Sequence, residues 1–224
     1  MYKILRLTLL ILLGIALSSC STVSLGVGQL RGSGNVTTET REVGAFTAID
    51  VSGVGEVVIT QGDTDRLTVE TDDNLQGVVL SEVRDHTLYL SMRSGTSLGL
   101  ATRMTFTVTV KSLTQITLSG AATINASQLS GDTLTVIHSG AGAVTTAGTV
   151  AEQHVTLSGA GSYDGEALVS ERATVDLSGL GSVVVNARAR LDATISGAGS
   201  VAYIGSPELH EQVTGVGSIR QRAP

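Results

Sequence analysis

A short motif, Ser-Gly-x-Gly, returns along this chain at a nearly fixed spacing, and it restricts the possible folds more than any other feature. "SGVGEV" starts at Ser52, "SGAATI" at Ser119, "SGAGAV" at Ser139, "SGAGSY" at Ser158, "SGLGSV" at Ser178, "SGAGSV" at Ser196 and "TGVGSI" at Thr214. From Ser119 onward the steps are 20, 19, 20, 18 and 18 residues, and a weaker copy, "RGSGNV" at Arg31, lies 21 residues before Ser52. Such a period marks a solenoid, in which one repeat buries its apolar face only by stacking on the next.

Aligning the copies shows how each repeat is built. The residue before the Ser/Thr is Leu118, His138, Leu157, Leu177, Ile195 or Val213. Two residues earlier stand Ile116, Val136, Val155, Val175, Ala193 and Glu211, with Thr117, Ile137, Thr156, Asp176, Thr194 and Gln212 between. This alternation is that of a strand with one buried face. After the motif, Ile124, Val144, Tyr163, Val183, Val201 and Ile219 fall on one face again. Each repeat is therefore expected to give a strand, a tight corner and another strand. The fold class is all-β: a single-stranded parallel β-helix with coils of 18 to 21 residues.

The corners are assigned to Ser52, Gly53 and Gly55; Ser119 and Gly120; Ser139, Gly140 and Gly142; Ser158, Gly159 and Gly161; Ser178, Gly179 and Gly181; Ser196, Gly197 and Gly199; and Thr214, Gly215 and Gly217. Glycine permits the turn and lets corners stack closely. The third residue of the motif (Val54, Ala121, Ala141, Ala160, Leu180, Ala198, Val216) is always apolar and is expected to point inward. The Ser/Thr column is expected to pass hydroxyl hydrogen bonds along the stack.

Composition agrees with this picture. The chain has 27 Gly, no Trp and 3% aromatic residues, so its core must come from Val, Leu, Ile and Ala. The repeat has little room for two helices, and its glycines and β-branched residues disfavour them. The Leu/Asn pattern of leucine-rich repeats is absent. Between Ser52 and Ser119 the motif is missing, but "RLTVET", "HTLYLSM" and "MTFTVTV" still read as strands. Residues from about 63 to 111 are expected to form irregular coils with longer loops, or a small β-cap, within a domain spanning 32–224. Glu211 in an inward column and the polar "RQRAP" would hinder another chain from adding to that end.

The first residues have a different character. Lys3 and Arg6 precede an apolar run from Leu7 to Leu17, the layout of a secretory signal and too short for a spanning helix. "LSSC", ending at Cys20, resembles the bacterial lipoprotein signal. That resemblance implies a signal peptide at 1–19, lipid on Cys20 and a tether over 20–31. Cys20 is the one cysteine of the chain, and lipidation accounts for the odd thiol. Ser21 at the next position leans towards the outer membrane rather than the inner.

Taken together, the chain resembles the putative auto-transporter adhesin, head GIN domain family of bacterial envelope proteins. "GSGNV" at Gly32–Val36, "FTAIDVSGVGEVVITQG" at Phe46–Gly62, "DDNL" at Asp72–Leu75 and the "LSGAG" coils carry the resemblance. The family implies an exported β-helix, often lipid-anchored, and no proven activity.

Sites for chemistry are weighed against this frame. No copy of the motif has the lysine of a phosphate loop, and none has the strand–helix setting of a dinucleotide fingerprint. The Asp of calcium-binding β-rolls is missing, since Glu56, Ala143, Ser162, Ser182, Ser200 and Ser218 follow the second glycine. A polysaccharide-active lyase or hydrolase would need two carboxylates on one groove. Asp176 is alone in its column, and Asp132, Glu152 and Glu171 are the candidates that could gather in a loop column. His138 is expected to be a hydrogen-bonded core or corner histidine. Asn125 opens a glycosylation-type sequon of little weight here. A net charge of −6 argues against nucleic acid. The expectation is a non-catalytic lipoprotein without metal or cofactor. It would be anchored in the outer membrane through Cys20 and would meet an envelope glycan, a protein or its own copies through a flat, hydroxyl-rich face.

Overall fold

The structure of the protein, a computed structural model, describes residues 29–223 and is built almost wholly of strand. In chain order the elements are β1 (Val36–Arg41), β2 (Ala48–Val51), β3 (Val54–Gln61), β4 (Arg66–Asp72), a short 3-10 turn (Asp73–Leu75), β5 (Val79–Arg84), β6 (Thr87–Met92), β7 (Met104–Val110), β8 (Gln115–Leu118), β9 (Ala121–His138), β10 (Ala141–Leu157), β11 (Ala160–Leu177), β12 (Leu180–Ile195), β13 (Ala198–Ile204), β14 (Glu208–Val213) and β15 (Val216–Gln221). One series of neighbours, β3–β9–β10–β11–β12–β13–β15, is parallel throughout. The residues aligned from the repeat are true ladder partners: Ala121, Ala141, Ala160, Leu180, Ala198 and Val216 stand in one register. The chain is the expected all-β parallel solenoid.

Strands β9 to β12 each run round most of a coil, because pairing to the coils on either side continues through the bends. In β9 the inward residues are Ala122, Ile124 and Ala126 on one side, Leu129 on a short arc, and Leu134, Val136 and His138 on the other side. In β12 they are Val183, Val185 and Ala187, then Leu191, Ala193 and Ile195, with no buried residue on the arc. The arc absorbs the differences in coil length. Register shifts fall at Thr146/Gly148, Thr145/Ala147 and Gly165/Val169, while the corners stay aligned.

Glycine at the corners is explained by the coil below. Ser139 and Gly140 both donate their N–H groups to the Leu118 carbonyl, at 2.9 and 3.0 Å, and Ala141 donates to Gly120 at 2.9 Å. The same three bonds recur in the coils that follow. A Cβ on Gly140, Gly159, Gly179, Gly197 or Gly215 would collide with the carbonyl oxygen of the equivalent glycine beneath it. At Gly142, φ of +136° adds a backbone reason.

Apart from Val54, which is partly buried against the core, the third residue of the motif does not fill the corner. Alternation runs unbroken through the turn, so Leu118, Gly120 and Ala122 face in and Ala121 faces out. Ala141, Ala160, Leu180, Ala198 and Val216 are likewise exposed, Leu180 at 63% and Val216 at 81%. The space inside is taken by the residue before the serine: His138, Leu177 and Ile195 lie against Gly161, Gly199 and Gly217. The serines are exposed too, and none of the corner hydroxyls makes a hydrogen bond among the described residues, so the expected hydroxyl ladder is absent.

Antiparallel strands close the first end of the stack. β1 pairs with β4, β4 with β7, and β5 with β6. The family-like segments Gly32–Val36 and Asp72–Leu75 lock together there. Asp72, fully buried, accepts from the Gly34 and Thr102 amides, each at 2.8 Å. Asp73 accepts from the Ser33 hydroxyl and from Asn35. Asn74 binds the Ser33 amide and the Arg31 carbonyl. A side chain on Gly32 would strike the Asp72 carboxylate. At the other end, β14 and β15 are the last described strands, and Val213 and Ile219 in the inward columns are only partly covered.

Candidate functional site

The β-solenoid offers faces rather than a cleft. On the side that follows each corner, outward ladders carry Thr123, Ala143, Ser162, Ser182, Ser200 and Ser218, and then Asn125, Thr145, Asp164, Val184, Ala202 and Arg220. On the side that precedes each corner they carry Thr135, His154, Thr174, Asp192 and His210, and then Ile137, Thr156, Asp176, Thr194 and Gln212. Short side chains set one strand spacing apart, about 4.8 Å, make these faces flat. Between the faces runs the exposed apolar ridge from Ala121 to Val216. The depressions on this surface are shallow, one beside Ala121, Thr123 and Gly142 and another among Asp192, Thr194, His210 and Gln212.

The carboxylates do not assemble as a hydrolytic pair. Glu152 stands in register with Thr133 and Arg172, not with Asp132 or Glu171. Its partner is the Arg172 guanidinium, whose Nε donates at 2.8 Å, and that cation holds the Glu152 carboxyl below the usual carboxylate range. Glu171 lies 3.7 Å from Arg188. Asp176 is exposed among Thr156 and Thr194. Arg190 clasps Asp192 with two bonds of 2.7 Å and lowers its carboxyl. His154 and His210 sit at 3.5 and 3.2 Å from Glu152 and Glu208. The result is a seam along one edge in which Glu152, Glu171 and Asp192 each face an arginine, while Asp132 and Asp176 have no ion-pair partner among the described residues. Among the described residues no three His, Cys, Asp or Glu are grouped to hold a metal ion.

The interior holds groups that the apolar columns did not reveal. Tyr163, fully buried, shares a hydrogen bond of 2.8 Å with the Thr146 hydroxyl and donates to Gln153 at 3.2 Å. Gln153 donates to the Ser170 hydroxyl at 2.7 Å, and Ser170 donates to the Asn186 carbonyl at 2.9 Å. Gly165 leaves room for the Tyr163 ring. Burial pushes the phenol well above its usual range, against the lowering effect of the Thr146 bond. The signal was present in parity: Thr146 and Gln153 occupy inward positions of β10. His138 is buried like its column mates Leu118 and Leu157, but neither ring nitrogen has a hydrogen-bond partner. The expected hydrogen-bonded histidine is instead an unsatisfied one, because apolar neighbours and glycine surround it.

Cys20 and residues 1–28 of the leader and tether lie outside the described residues. Leu30 is within them: its amide donates to Ser97 at 2.8 Å, and its carbonyl accepts from Gly99 at 2.9 Å. No helix among the described residues is long and apolar enough to cross a membrane.

Comparison with known proteins gives a consistent result. The family profile described as "Putative auto-transporter adhesin, head GIN domain" matches residues 45–207. A crystal structure of a protein named as a putative adhesin from Bacteroides fragilis NCTC 9343 is 24% identical, covers 86% of this chain and 100% of its own, and superposes with a TM-score of 0.72. One named the same way from Parabacteroides merdae ATCC 43184 is 20% identical, covers 87% and 99%, and gives 0.54. A third, from Parabacteroides distasonis ATCC 8503 and named as a putative lipid binding protein, is 20% identical, covers 87% and 99%, and gives 0.52. At these identities the likeness is one of fold. No curated protein matches the chain.

Proposed function

Because the chain belongs to the family described as "Putative auto-transporter adhesin, head GIN domain", we propose that it is a non-catalytic envelope protein with an adhesin-like role. It is held in the outer membrane by lipid on Cys20 and presents its flat solenoid faces to an envelope glycan, a protein or another copy of itself. The observation that carries this is the pairing of the carboxylates. Glu152 is neutralised by Arg172 and Asp192 by Arg190, so neither is free for acid–base work, while hydroxyls recur in register along the exposed faces. The lipid signal at Cys20 supports the anchor, since two or more acyl chains hold a protein stably to a bilayer.

Two experiments test this function. Cys20→Ala is expected to move the protein from the membrane fraction to the soluble periplasmic fraction; continued co-sedimentation with membranes would refute the anchor. The Cys20→Ala protein is then applied to a glycan array and used in envelope pull-downs. Retention of one glycan class or one envelope protein is expected. Turnover of a polysaccharide, abolished by Glu152→Gln, would instead make the protein an enzyme.

A further inference from the structure

We propose that the loop from Arg93 to Arg103, which presents Leu100, is a foot by which the domain rests on an anionic lipid bilayer. This rests on the Cys20 anchor proposed above. Leu100 is 80% exposed, and nothing in the core needs it there. The same loop receives the incoming chain. Leu30 bonds to Ser97 and Gly99, Gly32 donates to the Leu100 carbonyl at 2.9 Å, and Leu98 packs beside Leu30 against the core. Nine residue steps separate Cys20 from Gln29, so even a fully extended chain spans at most about 30 Å. A lipid on Cys20 therefore holds this end of the stack, and not the β14–β15 end, near the bilayer.

Charge points the same way. The chain carries 20 Asp and Glu residues, but none lies between Asp85 and Asp132 or between Cys20 and Glu39. Around the loop, Glu70 is paired with Arg103 and Asp72 is buried, while Asp73 is exposed and its charge is held by hydrogen bonds from Ser33 and Asn35. Arg31 and Arg93 are exposed and have no carboxylate partner among the described residues. The loop thus sets an exposed Leu100 beside two guanidinium groups, Arg31 and Arg93, that no carboxylate pairs among the described residues. Leu100 enters the interface, and Arg31 and Arg93 meet lipid phosphates, the arrangement of a peripheral membrane contact.

The chain contains no Trp, which supplies the probe. Full-length lipidated protein carrying Leu100→Trp or, as control, Val216→Trp is reconstituted into vesicles of phosphatidylethanolamine and phosphatidylglycerol with brominated acyl chains. Leu100→Trp is expected to emit at shorter wavelength and to be quenched several-fold more than the equally exposed Val216→Trp. Adding Arg31→Gln and Arg93→Gln should remove most of that difference. If the two positions are quenched alike while the protein floats with the vesicles, the foot is overturned and the anchor stands. If the protein does not float at all, the anchor reading fails and the foot fails with it.

Discussion

At the scale of single residues, what decides the fold is which side chains the corner forbids. A methyl on Gly179 would meet the Gly159 carbonyl of the coil below, whereas a methyl on Gly77 would meet nothing within 4 Å. Gly179→Ala is expected to destabilise the protein by about 1–3 kcal/mol through overpacking, and Gly77→Ala to be near neutral, as urea unfolding would register. His138 is the opposite case, a tolerated misfit. Burial holds its pKa below the ordinary 6.5, against a smaller raising effect from its own backbone. The unfolded chain therefore binds the proton more readily, and stability falls as pH drops below about 6.5. His138→Leu matches the column of Leu118 and Leu157 and removes two unsatisfied nitrogens. It should raise stability by about 1–3 kcal/mol and flatten the loss between neutral pH and pH ~5, read from thermal midpoints across pH. Asp72 and Asp73 act at lower pH. Amide bonds from Thr102 and Gly34 outweigh the burial that would raise Asp72, and Ser33 with Asn35 lowers Asp73, so their contribution is lost as pH falls through 3.8 and below.

At the scale of the element, the coil divides into a strict part and a lax part. Corners keep register because their amides and carbonyls interlock, while arcs absorb extra residues as bulges. Gln128 is such a residue: exposed, in a left-handed conformation with φ of 59°, and unpaired on both sides. Its deletion would shorten the coil to the length of the next and is expected to leave the fold intact by circular dichroism, whereas deletion of Gly140 should abolish it. The Tyr163 network is the other device of the element. Tyr163→Phe strands the Thr146 hydroxyl and the Gln153 carbonyl oxygen, with an expected loss of about 1–3 kcal/mol in urea melts. Much of this level was legible beforehand. The columns Leu118 to Val213 and Ile124 to Ile219 are the observed ladders, because period-2 burial follows directly from strand geometry. The orientation of Ala121, Leu180 and Val216 was not. Apolar character pointed inward, but the pleat alternates through the corner whatever the residue, and the parity of Gly120 and Ala122 decides. The salt bridge between Glu152 and Arg172 also escaped, since it depends on a register shift in the arc that no local pattern announces.

At the scale of the whole molecule, the two ends differ. Antiparallel pairs close the first, and the second shows partly covered Leu209, Val213 and Ile219 beside Glu211. A charge in an inward column hinders edge-to-edge addition, so Glu211→Val should promote self-association, visible by sedimentation velocity. Between the ends, the coils are joined chiefly by their backbone ladders and corner bonds. That continuity sets how the molecule would behave under load. A protein fastened near Gln29 and pulled by a ligand at β15 would be stretched along the stack, opening hydrogen bonds like a zipper, one coil after another. Each coil released would pay out about 60 Å of chain, so a steady pull is converted into a series of small yielding steps and the grip gives way gradually.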